Sequence, residues 1–400
     1  MRRRHLSQDR QVVFLSAVRT AIGTFGGSLK DIPTTQLGAL CVRHALSRAN
    51  IKKNEVGSCV FGSVIQTDTR DPYLARVVGI NGGLPIDTPA MTVNRLCGSG
   101  LQAIISAAQQ ILLGDIDTAV AGGAESMSRA PYLLPAQRWG RKMGDTKMID
   151  TLLGALNDPF GHGHMGVTAE NVAEKWNITR QEQDAFAYRS HRRALTAQQE
   201  GRFVEQIVPV KITTRTNSGT FDKDEHVRED VTEEGLAELK AVFKEGGSVT
   251  PGNASGINDG AAALILMDRK TAETQGREPI ARLVGYGHAA VDPSEMGIGP
   301  VPAVKSVLHK TGMTIEDMDV IESNEAFAAQ ACAVEKELGL NPDKTNPNGG
   351  AIALGHPVGA TGAILTVKTI YELKRIGGRF GLITMCIGGG QGIAAIVENI

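Results

Sequence analysis

Aromatic residues are scarce in this chain, only 4% of 400. Its core therefore rests on aliphatic side chains and alanine rather than on rings. An excess of charge of one sign is missing as well. Lys plus Arg number 42 and Asp plus Glu 43, for a net charge of -1. That excludes a whole-chain basic field for nucleic acid, though not a local basic patch. Cysteines are few and odd in number: Cys41, Cys59, Cys97, Cys332 and Cys386. With no short repeated spacing they predict neither a disulfide framework nor a CxxC zinc site. They fit a reducing compartment, the cytoplasm. No GxxxxGK[ST] phosphate loop occurs. Long apolar runs are absent near the start. Arg2, Arg3 and Arg4 are followed only by Val12, Val13, Phe14 and Leu15 before Arg19. That run is too short for a signal peptide or a membrane span, so residues 1–10 read as a lead-in to the first strand.

What is abundant is glycine, 47 residues, which implies tight turns and close backbone approaches. Apolar residues at 42% and charged residues at 21% give a globular balance. The length allows two or three domains.

Residues 11–18 and 57–65 read as buried strands, 35–49 as an amphipathic helix, and Thr92 to Cys97 as a short strand running into a glycine turn. Apolar residues at 101, 104, 105, 108 and 112 mark a helix that Gly114 stops. Thr118 to Gly122 reads as the next strand. This alternation predicts an α/β fold with a mostly parallel sheet. Residues 127–257 differ: they hold both tryptophans and little strand signal. Thr179 and Glu182 predict a capping box opening a polar helix that ends near Gly201. Alternation resumes after about residue 280. There is also an internal echo. Cys97-Gly-Ser-Gly100 and Gly359-Ala-Thr-Gly362 each open an apolar helix that precedes a buried, glycine-ended strand. Two similar halves with a central insertion is the organisation this predicts.

Four turns carry reactive groups. Cys97 lies in VNRLCGSG, directly before a helix, where free N–H groups favour a thiolate and glycines let a carbonyl approach. A small buried hydrophobe is the other reading of such a cysteine. Gly98-Ser-Gly100-Leu-Gln-Ala103 also matches a dinucleotide-binding pattern, but it stands too far into the chain for one. His356 sits in a Gly-His-Pro turn before the second echoed helix, placed to pair with a thiol. Cys386 opens another glycine turn and offers a second acid/base. Asn324 could hold a water or a carbonyl oxygen. All four fall at carboxyl ends of strands, where open α/β sheets bind ligands.

The segments VNRLCGSG (93–100), HMGVTAENVA (164–173), GNASGINDGAAA (252–263), NEAFAAQ (324–330), GGAIALGHPVGATG (349–362) and CIGGGQG (386–392) resemble the thiolase family in order and spacing. The likeness runs from about residue 11 to 400. It leans toward the biosynthetic acetyl-CoA C-acetyltransferase, or bacterial β-ketothiolase, branch. The resemblance implies two similar α/β halves in a layered αβαβα arrangement. Residues 1–126 would be the first half, 127–257 a loop domain over the site, 258–279 a return segment, and 280–400 the second half. It implies a homotetramer, a dimer of dimers, acting on acyl-CoA and CoA, with no nucleic acid, membrane, metal or separate cofactor.

Residue by residue, Cys97 matches the acylated nucleophile, His356 its activating base, and Cys386 the acid/base at the α-carbon of the second thioester. Asn324, through a water, with His356 matches one oxyanion hole; the N–H groups of Cys97 and Gly388 match the other. Ser255, His164, Met165, Ala326, Phe327 and, at the nucleotide end, Arg228 match substrate contacts. Two departures stand out. Ser323 replaces a small apolar residue, which reads as a rim change, and DPFGHGH (158–164) bears on acyl chain length. His162 and His164 read as loop residues. A decarboxylating synthase would carry a second histidine where Cys386 stands. A silent scaffold would have lost one of Cys97, His356 or Cys386.

Overall fold

The apolar runs become nine strands of one hydrogen-bonded sheet, to which the two-residue strands Gly23–Thr24 and Ile207–Val208 add at the side. The computed structural model describes residues 10–213 and 218–400, so most of the lead-in read over residues 1–10 lies outside the described residues. In chain order the strands are β1 (Val12–Thr20), β2 (Ser58–Gly62), β3 (Ala90–Val93), β4 (Thr118–Ser126), β5 (Asn258–Asp268), β6 (Ala281–Ala290), β7 (Val320–Ser323), β8 (Phe380–Ile387) and β9 (Gln391–Asn399). The helices that matter below are α1 (Thr34–Ala49), α2 (Leu74–Gly82), α3 (Ser99–Leu113), α4 (Met165–Trp176), α5 (Arg180–Gln199), α6 (Pro300–Thr311), α7 (Ala328–Leu338) and α8 (Thr361–Ile376).

The spatial order is β7-β8-β9-β6-β1-β5-β4-β2-β3. It reads as two half-sheets of one design. Outward from the centre, β1-β5-β4-β2 and β6-β9-β8-β7 share the same sequence of pairings: antiparallel, antiparallel, parallel. Within the sheet the halves join where Val13 and Phe14 pair with Arg282 and Ala281. The expectation of a mostly parallel sheet needs correction. Long strands β5 and β9 enter antiparallel between the others, and a tight Gly388–Gly390 turn returns β8 directly into β9. A turn that short can join only antiparallel neighbours.

Helix α3 packs on β4 and β2, α8 packs on β8 and β7, and the two helices pack on each other. Helix α1 lies against β1 and β5, and α6 against β6 and β9. The result is the αβαβα layering. The echoed glycines explain how the central layer closes. A Cβ on Gly362 would stand 2.3 Å from the backbone N of Leu101, and one on Gly100 2.7 Å from that of Ala363. Only glycine lets the two helix starts approach this closely. The stretch Leu96–Leu113 is long and apolar enough to span a membrane by length and composition. Here the sheet and α8 cover it, and Leu101, Ile104, Ile105, Ala108 and Ile111 are buried.

Between β4 and β5 the chain folds over the end of the sheet as short hairpins and helices that include α4 and α5. The predicted capping box is present: Thr179 accepts from the Glu182 N–H, and Glu182 accepts from the Thr179 N–H. A buried ion pair ties this region to the core. Arg19 on β1 donates to both oxygens of Asp224, at 2.7 and 2.9 Å, and to Gln206 at 2.7 Å.

Candidate active site

The reactive groups sit in turns where the two halves meet. The strand expected over Thr92–Cys97 ends early, at Val93, and Asn94 to Gly98 form a turn instead. Ser99, on the first turn of α3, shapes it. Its hydroxyl accepts from the Arg95 N–H at 2.9 Å and donates to Leu96 O at 2.7 Å. Leu96 is held at φ 44°, a conformation that costs a side-chain-bearing residue about 1–2 kcal/mol. That strained turn lifts Cys97 out of the strand line and leaves it partly exposed ahead of α3.

Cys386 is the last residue but one of β8 and is buried. The turn after it brings the Gly388 N–H onto the Cys97 sulfur, beside the N–H of Cys97 itself. A Cβ on Gly388 would meet Leu96 Cδ1 at 3.3 Å and Met165 Sδ at 3.4 Å. The two thiols are close enough for a charge on Cys97 to oppose one on Cys386.

His356 is buried between the halves. Its backbone N–H donates to Asn258 Oδ1 at 2.9 Å, and Asn258 in turn donates to Gly23 O at 3.0 Å. On the ring, Nδ1 lies 2.7 Å from Thr361 Oγ1, and Nε2 lies 3.5 Å from Asn324 Nδ2. Asn324 is anchored by its own N–H to Thr384 O at 3.0 Å, while its Oδ1 is buried without a protein partner. Glu325 stiffens this corner, accepting from Ser190, Asn346 and the Ile352 N–H.

Burial dominates the electrostatics of the resting site. Burial pushes the Cys97 thiol up to about 11. The N–H groups of Gly388 and Cys97 work against that shift, and Glu125 reinforces it. Burial lowers His356 to about 4 and raises Cys386 further than Cys97. At neutral pH the resting site therefore holds two thiols and a neutral imidazole. The helix start and the histidine do not outweigh desolvation.

The sequence-predicted substrate residues other than Arg228 are joined by a chain of contacts. Ser255 donates its N–H to Ala326 O at 3.0 Å, and Ala254 pairs with Phe327. The His164 ring stacks on Phe243, centroids 4.7 Å apart, and Phe243 meets Phe327 edge-on at 6.2 Å. His164 also caps α4, where Met165 begins, by accepting from the Gly166 N–H. Arg228 stands apart from the thiols. It lines a cleft of about 160 Å³ with His191, His226 and Leu236. The Ser255 loop borders that cleft, because Gly256 abuts the His226 ring. Beside Cys97, on the other side, Ile65, Met127, Leu152 and Val358 form a small apolar cluster. A larger groove of about 740 Å³, lined by Leu37, Arg43, His44 and Val210, holds none of these residues.

Ser323 is buried at the end of β7, so it is not a rim change. The DPFGHGH segment is a tight loop. Asp158 accepts from the N–H groups of Phe160 and His162, and Phe160 reaches Gly389. No group of three possible metal ligands occurs among the described residues. Sequence reasoning missed Asn258, Thr361, Glu125 and Phe243. Thr361 and Asn258 lay inside the recognised motifs. Phe243, in a charged stretch, gave no signal.

Taken together, fold and site define an α/β enzyme of thiol-based acyl transfer. Residues 12–270 match the family model of the thiolase N-terminal domain and residues 277–399 that of the thiolase C-terminal domain; the chain belongs to the thiolase family. It is 63% identical to beta-ketothiolase BktB of Cupriavidus necator, over 98% of this chain and all of that protein. Among solved structures, it superposes on the acetyl-CoA acetyltransferase of Bacillus anthracis with a TM-score of 0.96 at 47% identity, covering 98% and 99% of the two chains. Human mitochondrial 3-ketoacyl-CoA thiolase in complex with CoA gives 0.95 at 44%, covering 98% of each.

Proposed function

We propose that the protein is an acyl-CoA C-acyltransferase, a β-ketothiolase. It condenses acetyl-CoA with acetyl-CoA or a short acyl-CoA, reversibly, giving a 3-ketoacyl-CoA and CoA through an acyl group on Cys97. The observation that carries this reading is the meeting of two thiols and the Gly388 N–H in one place, with the His356 ring held on Asn324, which hangs from the same strand as Cys386.

Acyl transfer needs a thiolate that the resting site does not hold, so the Cys97 proton passes to His356 Nε2 as sulfur attacks the thioester carbonyl. The developing oxyanion takes the N–H groups of Cys97 and Gly388. The C–S bond to CoA breaks, and the leaving sulfur takes the proton of Cys386. That leaves an acyl-Cys97, an imidazolium and a Cys386 thiolate. Burial makes this thiolate a strong base. It removes a proton from the α-carbon of the second thioester, whose oxygen is held by His356 and by a water on Asn324. The unpaired, buried Asn324 Oδ1 fits such a water. The enolate carbon then attacks the acyl carbonyl, the C–C bond forms, and Cys97 sulfur leaves, regaining its proton from His356. Ping-pong kinetics follow.

We assign the pantetheine arm to the rim of Ser255, His164, Met165, Ala326 and Phe327, and the nucleotide end to the Arg228 cleft. The segments 1–126, 127–257, 258–279 and 280–400 are proposed as first half, covering loop domain, return segment and second half. A homotetramer is supported by the hairpin region around Trp139 and Met143, which are 90% and 88% exposed. Apolar side chains so exposed mark association surfaces. Five free cysteines support the cytoplasm. Incubation with acetoacetyl-CoA and free CoA tests the whole reading: a thiolase yields acetyl-CoA, and no acetyl-CoA would reject it.

A further inference from the structure

We propose that Thr361 is a positioning residue for the acyl-transfer base: its hydroxyl keeps the His356 proton on Nδ1, leaving Nε2 with the lone pair that takes the Cys97 proton. This rests on the proposal that His356 is that base.

The argument starts from a hydroxyl with a single hydrogen. Thr361 Oγ1 lies 2.9 Å from Pro357 O, a group that can only accept. If its hydrogen goes there, beside the N–H groups of Ala360 and Thr361, the hydroxyl has only lone pairs left for the ring. At 2.7 Å from His356 Nδ1 it must then accept, so the ring proton sits on Nδ1. The other side of the ring agrees. Asn324 presents its Nδ2 donor to Nε2 at 3.5 Å, a geometry that suits a lone pair on Nε2 and opposes a proton there.

The echo between the halves repeats the device. Ser99 precedes Gly100 as Thr361 precedes Gly362, each on the first turn of a central helix. Ser99 donates to Leu96 O and accepts the Arg95 N–H; Thr361 donates to Pro357 O and accepts the His356 Nδ1–H. One hydroxyl braces the turn carrying the nucleophile and its counterpart braces the turn carrying the base. The Thr361 bond serves both half-reactions. Nδ1 stays protonated whether Nε2 is empty, as the base, or protonated, as a donor to the enolate oxygen.

Two measurements test this. In wild-type enzyme with 15N-labelled histidine, the signals absent from a His356→Gln variant identify the ring. They should report a neutral imidazole protonated on Nδ1. Protonation on Nε2 would overturn the proposal, and this measurement needs no altered Thr361. In single-turnover acylation by acetyl-CoA, Thr361→Val removes only the hydroxyl's chemistry and should slow acyl transfer about 10–100-fold, as loss of a partner orienting a histidine does elsewhere, with KM little changed. Thr361→Ser should restore the rate. A Val variant as fast as wild type, or a Ser variant as slow as Val, would also overturn it. His356→Ala separates the two ideas. If it still acylates at the wild-type rate, the base assignment fails. If it does not, and Thr361→Val is unaffected, only the role of Thr361 fails.

Discussion

Glu125 and Cys386 each stand two residues beyond the last parallel pair of their half-sheet. In the first, Gly62 pairs in parallel with Gly123, and Glu125 follows two residues on. In the second, Ser323 pairs with Thr384, and Cys386 follows two residues on. The carboxylate is tied down: it accepts from the N–H groups of Val64, Ile65 and Gly359, and burial lifts it to about 8. The thiol has only its own backbone N–H to lower its pKa. The same place relative to the strand pairing thus serves once as a clamp on the turn before α8 and once as a group free to move a proton.

That contrast predicts a separation of half-reactions. Cys386→Ala should still take up one radiolabelled acetyl group per site from acetyl-CoA, at a reduced rate because the leaving CoA loses a proton source, and should form no acetoacetyl-CoA. Cys97→Ala should take up none. Full labelling of the Cys97→Ala protein would show that another residue carries the acyl group.

The buried neutral histidine sets a pH dependence with a definite sign. His356 is lowered to about 4 when folded, against about 6.5 unfolded. Below pH 6.5 the unfolded chain binds a proton that the native site refuses, so stability is lost as pH falls from 6.5 toward 4. At pH 5 this site alone costs about 2 kcal/mol relative to pH 7. Denaturant unfolding of wild type and His356→Gln at pH 7 and pH 5 should differ by about that amount. Equal losses in both proteins would place His356 in water.

Removing one partner of the Arg19–Asp224 pair strands a charge that is fully buried. Asp224→Ala should cost about 3–5 kcal/mol, read as a lower denaturant midpoint at unchanged slope. A loss near the 0–1 kcal/mol typical of exposed pairs would mean that water reaches Arg19 when the pair is broken.

The apolar cluster beside Cys97 predicts where acyl chain length is read. Leu152 is buried there with Ile65, Met127 and Val358. Leu152→Ala should shift kcat/KM for thiolysis toward longer 3-ketoacyl-CoA substrates, by about 10-fold or more per accommodated methylene. An unchanged preference from acetoacetyl- to 3-ketohexanoyl-CoA would place the chain on another wall.

Much of this was legible in local pattern. Glycine-bounded apolar runs marked the strands, Gly114 and the Thr179–Glu182 box marked helix ends, and the echo of Cys97-Gly-Ser-Gly100 in Gly359-Ala-Thr-Gly362 at the start of two helices disclosed the duplication. The strand directions were not, because β5 and β9 are as apolar as parallel strands and periodicity carries no sign. Nor was the early end of β3 at Val93, since no residue type announces a leucine at φ 44°.

The sequence by itself determined the chemistry available: two thiols and a histidine, each in a glycine turn, and an asparagine at a strand end, because such local features depend on the few residues around them. Only the tertiary structure decided their ionisation. Desolvation depends on everything packed around a group, and much of what surrounds Cys97 and His356 comes from the other half of the chain and from the covering loops. A helix start that would favour a thiolate in water holds a neutral thiol here, because burial outweighs it.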